Sequence, residues 1–176
     1  VTPDSRFIEL DKALHDRAEF DCGREELNAF IRQFAARHRA AGVSKTMVLT
    51  EKVPHTEKAG ICAYYTLSST QIKRETLPKA QLKKLPHYPI PVLLIAQLAV
   101  HKDTQGLGLG KIALISALRQ CLQINAHLPS YAVVVDALDD SVQGFYEQYG
   151  FQVLDRHNGR IRLYLPMVTV ERLFGE

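Results

Sequence analysis

The sequence predicts a mixed α/β (α+β) sheet in a single domain covering residues 1–176, and three observations lead there. Two β-type segments, Lys45–Glu51 and Gly60–Ser68, come early and pair as a hairpin around Pro54–Ala59. Strand-like and helix-like segments then alternate. Between these regions lies Val92–Val100, almost wholly apolar, with the character of a buried strand.

The elements follow in order. Phe7–Leu10 reads as a short opening strand and Asp11–Asp16 as a turn or short helix. From Arg24 to Ala41, Leu27, Phe30, Ile31, Phe34 and Ala35 recur at i, i+3, i+4, i+7 and i+8, one face of a helix. Glu25 and Glu26 fall in its first turn, where the helix dipole favours acids. Leu77–Leu85 suits a short helix opened by Pro78. Tyr88-Pro-Ile-Pro holds the chain extended as it approaches the apolar strand. A helix over Gly110–Asn125 would turn Ile112, Ile115, Leu118 and Leu122 inward. Tyr131–Ala137 is a second buried strand, and Asp139–Tyr149 a helix stopped by Gly150 as its C′ glycine. Phe151–Leu154 and Arg160–Leu165 finish as strands.

Composition removes several classes. At 46% hydrophobic and 23% charged the chain is globular rather than disordered, and 176 residues suffice for a continuous core. No apolar run is long enough to span a bilayer, so no membrane role is expected. The first residues lack the apolar core of a secretory signal. Cys22, Cys62 and Cys121 are widely spaced, forming neither a disulfide framework nor a CxxC metal site. A cytoplasmic protein without a metal is the expectation. Net charge is only +3, but the cations cluster. Between Thr70 and Pro89, Lys73, Arg74, Lys79, Lys83 and Lys84 face the single acid Glu75, and Arg32, Arg37, His38 and Arg39 crowd the end of the first helix. Both groups suit either a solvated face or a polyanion.

The informative stretch is Leu98-Ala-Val-His-Lys-Asp-Thr-Gln-Gly-Leu-Gly-Leu-Gly-Lys111: a strand, a glycine-dense turn, then a helix. Glycines let several backbone N–H groups converge, and a helix N-terminus adds its positive end, so the place suits a phosphate. It is not a P-loop, because Gly106 to Gly110 is one residue short and Ile112 replaces the required hydroxyl. Nor is it a dinucleotide turn, which wants GxGxxG.

Gln105-x-x-Gly108-x-Gly110, after a buried strand ending Leu98-Ala99-Val100, resembles the pyrophosphate loop of GNAT-superfamily acetyltransferases. Val133-Val-Val-Asp-Ala followed by Phe145-Tyr146-x-x-x-Gly150-Phe151 is similar to that family's closing motif, in the right order. The resemblance implies the GNAT fold: a central, mixed but mostly antiparallel sheet whose central strands splay apart, flanked by helices. It implies acetyl-CoA as co-substrate. Leu98, Ala99 and Val100 would hold its pantetheine arm through their backbone, and Gln105, Gly106, Leu107, Gly108, Leu109, Gly110 and Lys111 its pyrophosphate. A backbone N–H near Leu98 or Ala99 would stabilise the oxyanion. Tyr146 would be the proton donor to the coenzyme sulfur, and Tyr149 would pack or face solvent. The chain departs from the family at Asp139 and Val142, where many members carry Asn and Ala; Asp139 would occupy the pantetheine-contact position. No Asp or Glu occurs from Thr76 to Lys102, where some relatives place a base. That suits an α-amine near pKa 8, already partly neutral, better than a lysine near about 10.4.

A narrower resemblance covers residues 20–165. Phe20-x-Cys22-Gly23-x-x-x-Leu27-Asn28-x-Phe30, Tyr64-Tyr65-x-Leu67-Ser68 and Leu85-Pro-x-Tyr-Pro-Ile-Pro-Val92 are similar to the acetyltransferase toxins of bacterial toxin–antitoxin modules. This implies acetylation of the α-amino group of aminoacyl-tRNA, which blocks translation. It also implies a ribbon–helix–helix antitoxin, operator DNA bound only through that antitoxin, and a homodimer. Arg32, Arg37, Arg39, Lys79, Lys83 and Lys84 would then meet tRNA phosphates. Two alternatives stay open: an acetyltransferase for a small amine or a protein N-terminus, and a non-catalytic acetyl-CoA-binding module.

Overall fold

Strands form where the sequence alternates or runs apolar. In the computed structural model, which describes residues 1–175, they are β1 (Ile8–Glu9), β2 (His15–Asp16), β3 (Lys45–Thr50), β4 (Ala59–Ile72), β5 (Ile90–Val100), β6 (Ala132–Ala137), β7 (Gln152–His157) and β8 (Arg160–Pro166). They hydrogen-bond in the order β1-β3-β4-β5-β6-β8-β7, with β2 beside β4 off that path. Antiparallel ladders join β1 to β3, β3 to β4, β6 to β8 and β7 to β8. The β2–β4 and β5–β6 ladders are parallel. The result is the mixed, mostly antiparallel sheet that the sequence predicts. Its residues divide into two compact units, Val1–Ser68 with Ala96–Ala117, and Ser69–Ile95 with the chain from Leu118 onward.

In the first unit the predicted helix over Arg24–Ala41 is three pieces: α1 (Glu25–Ala29), a π-helical turn (Phe30–Phe34) and α2 (Ala35–Ala40). The Ala35 N–H bonds the Phe30 carbonyl, an i→i+5 closure that inserts one residue into the turn. Leu27, Phe30, Ile31 and Ala35 stay buried, but Phe34 is rotated off the face and is 38% exposed. The buried Tyr64 on β4 anchors this helix. Its hydroxyl donates to the Leu27 carbonyl (2.7 Å) and its ring stacks on Phe30 (6.4 Å between centroids). The Asp11–Asp16 stretch is a turn closing into β2 rather than a helix.

The second unit holds α3 (Lys79–Leu82), α5 (Asp140–Gln148) and α6 (Met167–Leu173). Pro78 precedes α3 with extended ψ (145°), so it sits at the cap and not at the first helical position. Asn158 (φ 51°) and Gly159 (φ 78°) turn β7 into β8. This Asn-Gly hairpin turn carries β7 three residues past the predicted Leu154. The sequence reading missed α6, whose seven residues are too few to display a period. The core of this unit joins Ile72, Leu77, Ile90, Val92, Ala132, Val134 and Tyr164.

Helix α4 (Leu109–His127) begins in the first unit and ends in the second. Its buried side chains are Leu109, Ala113, Leu114, Ala117, Leu118 and Cys121; Ile112 is 45% exposed. The predicted inner face is therefore displaced by about one residue. Ala and Cys supply half of the buried positions, and small residues weigh little in a hydropathy pattern. Among the described residues no helix is long and apolar enough to cross a membrane.

Candidate active site

The glycine turn lies wholly in the first unit. Buried Ala99, with half-buried Leu98 and Val100, ends β5, and the His101 N–H donates to the Cys62 carbonyl of β4 (2.8 Å). A 3₁₀ turn over Lys102–Thr104 follows. Buried Thr104 ties it down, its hydroxyl donating to the carbonyls of Cys62 (3.0 Å) and His101 (3.1 Å). Gln105 points its amide back into the protein, Nε2 donating to the carbonyls of Val100 (3.1 Å) and Cys22 (3.3 Å). Gln105 is thus a brace for the loop.

A second brace joins Asn28, part of the Phe20-x-Cys22-Gly23 motif, to Asp21, the unspecified position of that motif, which the sequence reading missed. Asp21 Oδ1 accepts from the Gly23 N–H (2.9 Å) and from Asn28 Nδ2 (3.0 Å), and Oδ2 is 3.2 Å from Lys102 Nζ. These partners, the Gly23 N–H foremost, lower the exposed Asp21 carboxyl to about 2. Asn28 Oδ1 accepts from the Cys22 N–H (2.8 Å), and the Lys102 N–H donates to the Asp21 carbonyl (2.8 Å). Phe20 seals the latch edge-on against Tyr64 (5.3 Å) and His101 (5.6 Å). The Phe-x-Cys-Gly…Asn spacing therefore fixes the approach to the glycine turn.

Between these braces Gly106 (φ 86°) and Gly108 (φ 77°) take the left-handed conformation that side chains disfavour. A Cβ on either would meet nothing within 4 Å, so no protein neighbour demands glycine there. Leu107 is exposed, Leu109 buried, Gly110 half-buried and Lys111 exposed in the first turn of α4. First-turn N–H groups have no intrahelical acceptors, and over a 19-residue helix they present the positive dipole end. An open glycine arc under such a terminus fits a pyrophosphate.

Tyr146 belongs to the second unit. It is the buried side chain of α5, 6% exposed, edge-on to Phe145 (5.2 Å) and Phe151 (5.4 Å). Burial first, and then the charge of Asp136, push its phenol above the ordinary tyrosine value, so it stays protonated at neutral pH. Tyr149 is half-buried at the C-cap, packed on Phe145 (5.2 Å). Asp139 caps α5: Oδ1 accepts from the Val142 N–H (3.0 Å) and the Ser141 hydroxyl (2.7 Å). An acid here performs the same local job as Asn.

The sequence reading also missed Asp136 and Arg162. They stand opposite each other on β6 and β8 in a two-pronged ion pair, Nε–Oδ1 2.7 Å and Nη2–Oδ2 2.9 Å. The available signal was one acid in apolar Tyr131–Ala137 and one arginine between apolar residues of Arg160–Leu165.

The basic residues separate by their commitments. Arg32 is half-buried, with its guanidinium on the Phe20 carbonyl, and Arg39 pairs with Glu9 (2.6 Å). Arg37 is exposed, its guanidinium 5.7 Å from the Phe34 ring. Arg74 donates to the Leu82 carbonyl (3.0 Å) at the end of α3. Lys79, Lys83 and Lys84 are exposed around that helix.

Residues 79–151, spanning α3 through the end of α5 and including the glycine arc and Tyr146, match the acetyltransferase (GNAT) family. An acetyltransferase by that match, the chain is 28% identical to a tRNA-acetylating toxin of Mycobacterium tuberculosis (strain ATCC 25618 / H37Rv) over 161 residues, 92% of each chain. It is also 28% identical to a probable toxin TacT of Sinorhizobium fredii (strain NBRC 101917 / NGR234), across 97% of this chain and 96% of the relative. Among solved structures it is similar to AtaT complexed with acetyl-methionyl-tRNAfMet (TM-score 0.86, 27% identity, 96% of this chain and 98% of that one). AtaTR bound with acetyl-CoA is a further match (TM-score 0.82, 28% identity, 96% and 97%).

Proposed function

We propose that this acetyltransferase moves the acetyl group of acetyl-CoA onto the α-amino group of an aminoacyl-tRNA, blocking translation, and that a ribbon–helix–helix antitoxin restrains it. The observation that carries this reading is likeness along almost the entire chain to AtaT, a protein solved with acetyl-methionyl-tRNAfMet. The similarity reaches well outside residues 79–151, the segment that the acetyltransferase family shares.

The residues supply matching chemistry. The arc from Gln105 to Lys111 receives the pyrophosphate. The β5–β6 ladder covers Leu93–Ile95, whereas β5 continues to Val100, which supports the pantetheine arm bonding to the backbone of Leu98–Val100. The substrate nitrogen bonds to the thioester carbonyl carbon while a β5 N–H holds the oxyanion. As the C–S bond breaks, Tyr146 gives its phenolic proton to the thiolate. The nitrogen releases one proton to solvent, from which the phenol is restored. The lack of a carboxylate between Thr76 and Lys102 suits an acceptor that is already partly neutral, as an α-amine near pKa ~8 is.

The cytoplasm is the compartment of such a substrate, and the unpaired state of Cys22, Cys62 and Cys121 accords with it. The neighbour AtaT is also solved bound to the C-terminus of the antitoxin AtaR, which supports an antitoxin here, and a KacTA–DNA complex supports operator DNA reached through it. A homodimer completes the reading. Transfer of label from acetyl-CoA to charged tRNA, and none to uncharged tRNA, tests it. Label on polyamines or protein N-termini alone would replace it with a plain acetyltransferase.

A further inference from the structure

The loop between α3 and β5 displays an aromatic ring that the reaction above does not use. Tyr88 is 64% exposed. The chain around it is built to hold it there. Leu85 packs against the core of the second unit and Ile90 is buried within it, so both ends of a short loop are fastened to one cluster. Pro86 and Pro89 bracket the apex, each with its own φ fixed, Pro89 biases Tyr88 toward extended backbone, and Pro91 follows. A large half-apolar ring is thus exposed on a stiff support, where a flexible loop would have let it fold down.

The segment that holds it carries mostly one sign of charge. Lys83 and Lys84 lie just upstream and Lys79 opens α3, all exposed and none in an ion pair among the described residues. Glu75 is the only acid between Thr70 and Lys102. A rigid aromatic face among unpaired lysines is the combination that holds single-stranded nucleic acid. The cations meet phosphates, and the ring takes a base whatever its identity.

We propose that Tyr88 is a stacking platform for an unpaired nucleobase of the charged RNA, with Lys83 and Lys84 on the neighbouring phosphates. This rests on the tRNA reading above and adds to it a residue that recognises a base. A second protein surface seated on Tyr88 is the competing occupant. The lysines of its own segment, with Glu75 as the single acid there, favour RNA.

The chain contains no tryptophan, so Tyr88→Trp places the one tryptophan, excited apart from the tyrosines, at the proposed contact. Titrated with short oligoadenylate, this variant should be quenched; titrated with polyphosphate, which has phosphates but no bases, it should not. In steady-state assays Tyr88→Ala should raise the KM for charged tRNA by about five- to hundredfold, the range for losing one stacked base. Tyr88→Phe should restore it, and acetyl-CoA affinity, a check on folding, should be unchanged. Equal quenching by both polyanions, or by neither, would overturn the proposal. So would an unaltered KM in Tyr88→Ala, or a changed oligomeric state with that KM intact, which would make Tyr88 a subunit contact. Wild-type protein that ignores charged tRNA would instead remove the reading on which the proposal rests.

Discussion

Tyr146→Phe removes one hydroxyl from a ring already packed between Phe145 and Phe151, so folding and acetyl-CoA affinity should survive. Turnover should fall by about 10²–10⁴-fold if the phenol is the general acid. The same change at Tyr149, a half-buried ring packed on Phe145, should cost far less. Equal losses from both variants would mean that the acid is misassigned. The raised phenol pKa also carries a sign: a group held above its ordinary value stays protonated further into alkali. Wild-type turnover should therefore show no falling limb from this group below about pH 10. At Gly108 the prediction concerns space. A Cβ at Gly108 meets no protein atom within 4 Å, although the φ of 77° adds strain to Gly108→Val. Calorimetry on folded variant should show acetyl-CoA binding abolished, and unchanged affinity would remove the pyrophosphate from this arc. Both residues were legible in the sequence because each sits in a spaced motif. Asp136 and Arg162 were not, since their meaning is a cross-strand register that no local pattern encodes.

At the scale of elements, the latch of Asp21 and Asn28 explains why an N-terminal motif accompanies a glycine turn so far along the chain. Asn28→Ala leaves the Cys22 N–H without its acceptor and releases Asp21 from one donor. None of these groups lies in the arc itself. Acetyl-CoA affinity should nonetheless drop by about two- to tenfold, part of the worth of one hydrogen bond, as the braced loop loosens. An unchanged Kd alongside a lowered Tm would make the latch purely structural. Strands were the most legible elements: β3, β5 and β6 begin and end within two residues of their predicted limits. Helices were less so, for two physical reasons. In α4 the buried face relies on Ala113, Ala117 and Cys121, which hardly register as apolar. In the first helix a π turn shifts the face part-way along, which a strict 3.6-residue period cannot anticipate.

Across the whole molecule, charge is the property that the substrate reading must explain. Sequence counting put Arg32 and Arg39 with the lysines, but the folded chain commits Arg32 to the Phe20 carbonyl and Arg39 to Glu9. Lys79, Lys83 and Lys84 remain exposed. Changing these three together to Gln should weaken binding of charged tRNA and flatten the dependence of log K on log salt by about 2, close to one phosphate contact per lysine. Acetyl-CoA binding should be untouched. A triple variant that acetylates charged tRNA normally would assign this face to solvent or to the antitoxin. The most direct test of the central claim follows the acetyl group itself. Protein is incubated with labelled acetyl-CoA and a charged tRNA pool, and mild base then hydrolyses the aminoacyl ester. The account predicts that all label leaves with the amino acid as its N-acetyl derivative. Label that stays on the nucleic acid, or that appears only when polyamines or protein N-termini are supplied, would contradict it.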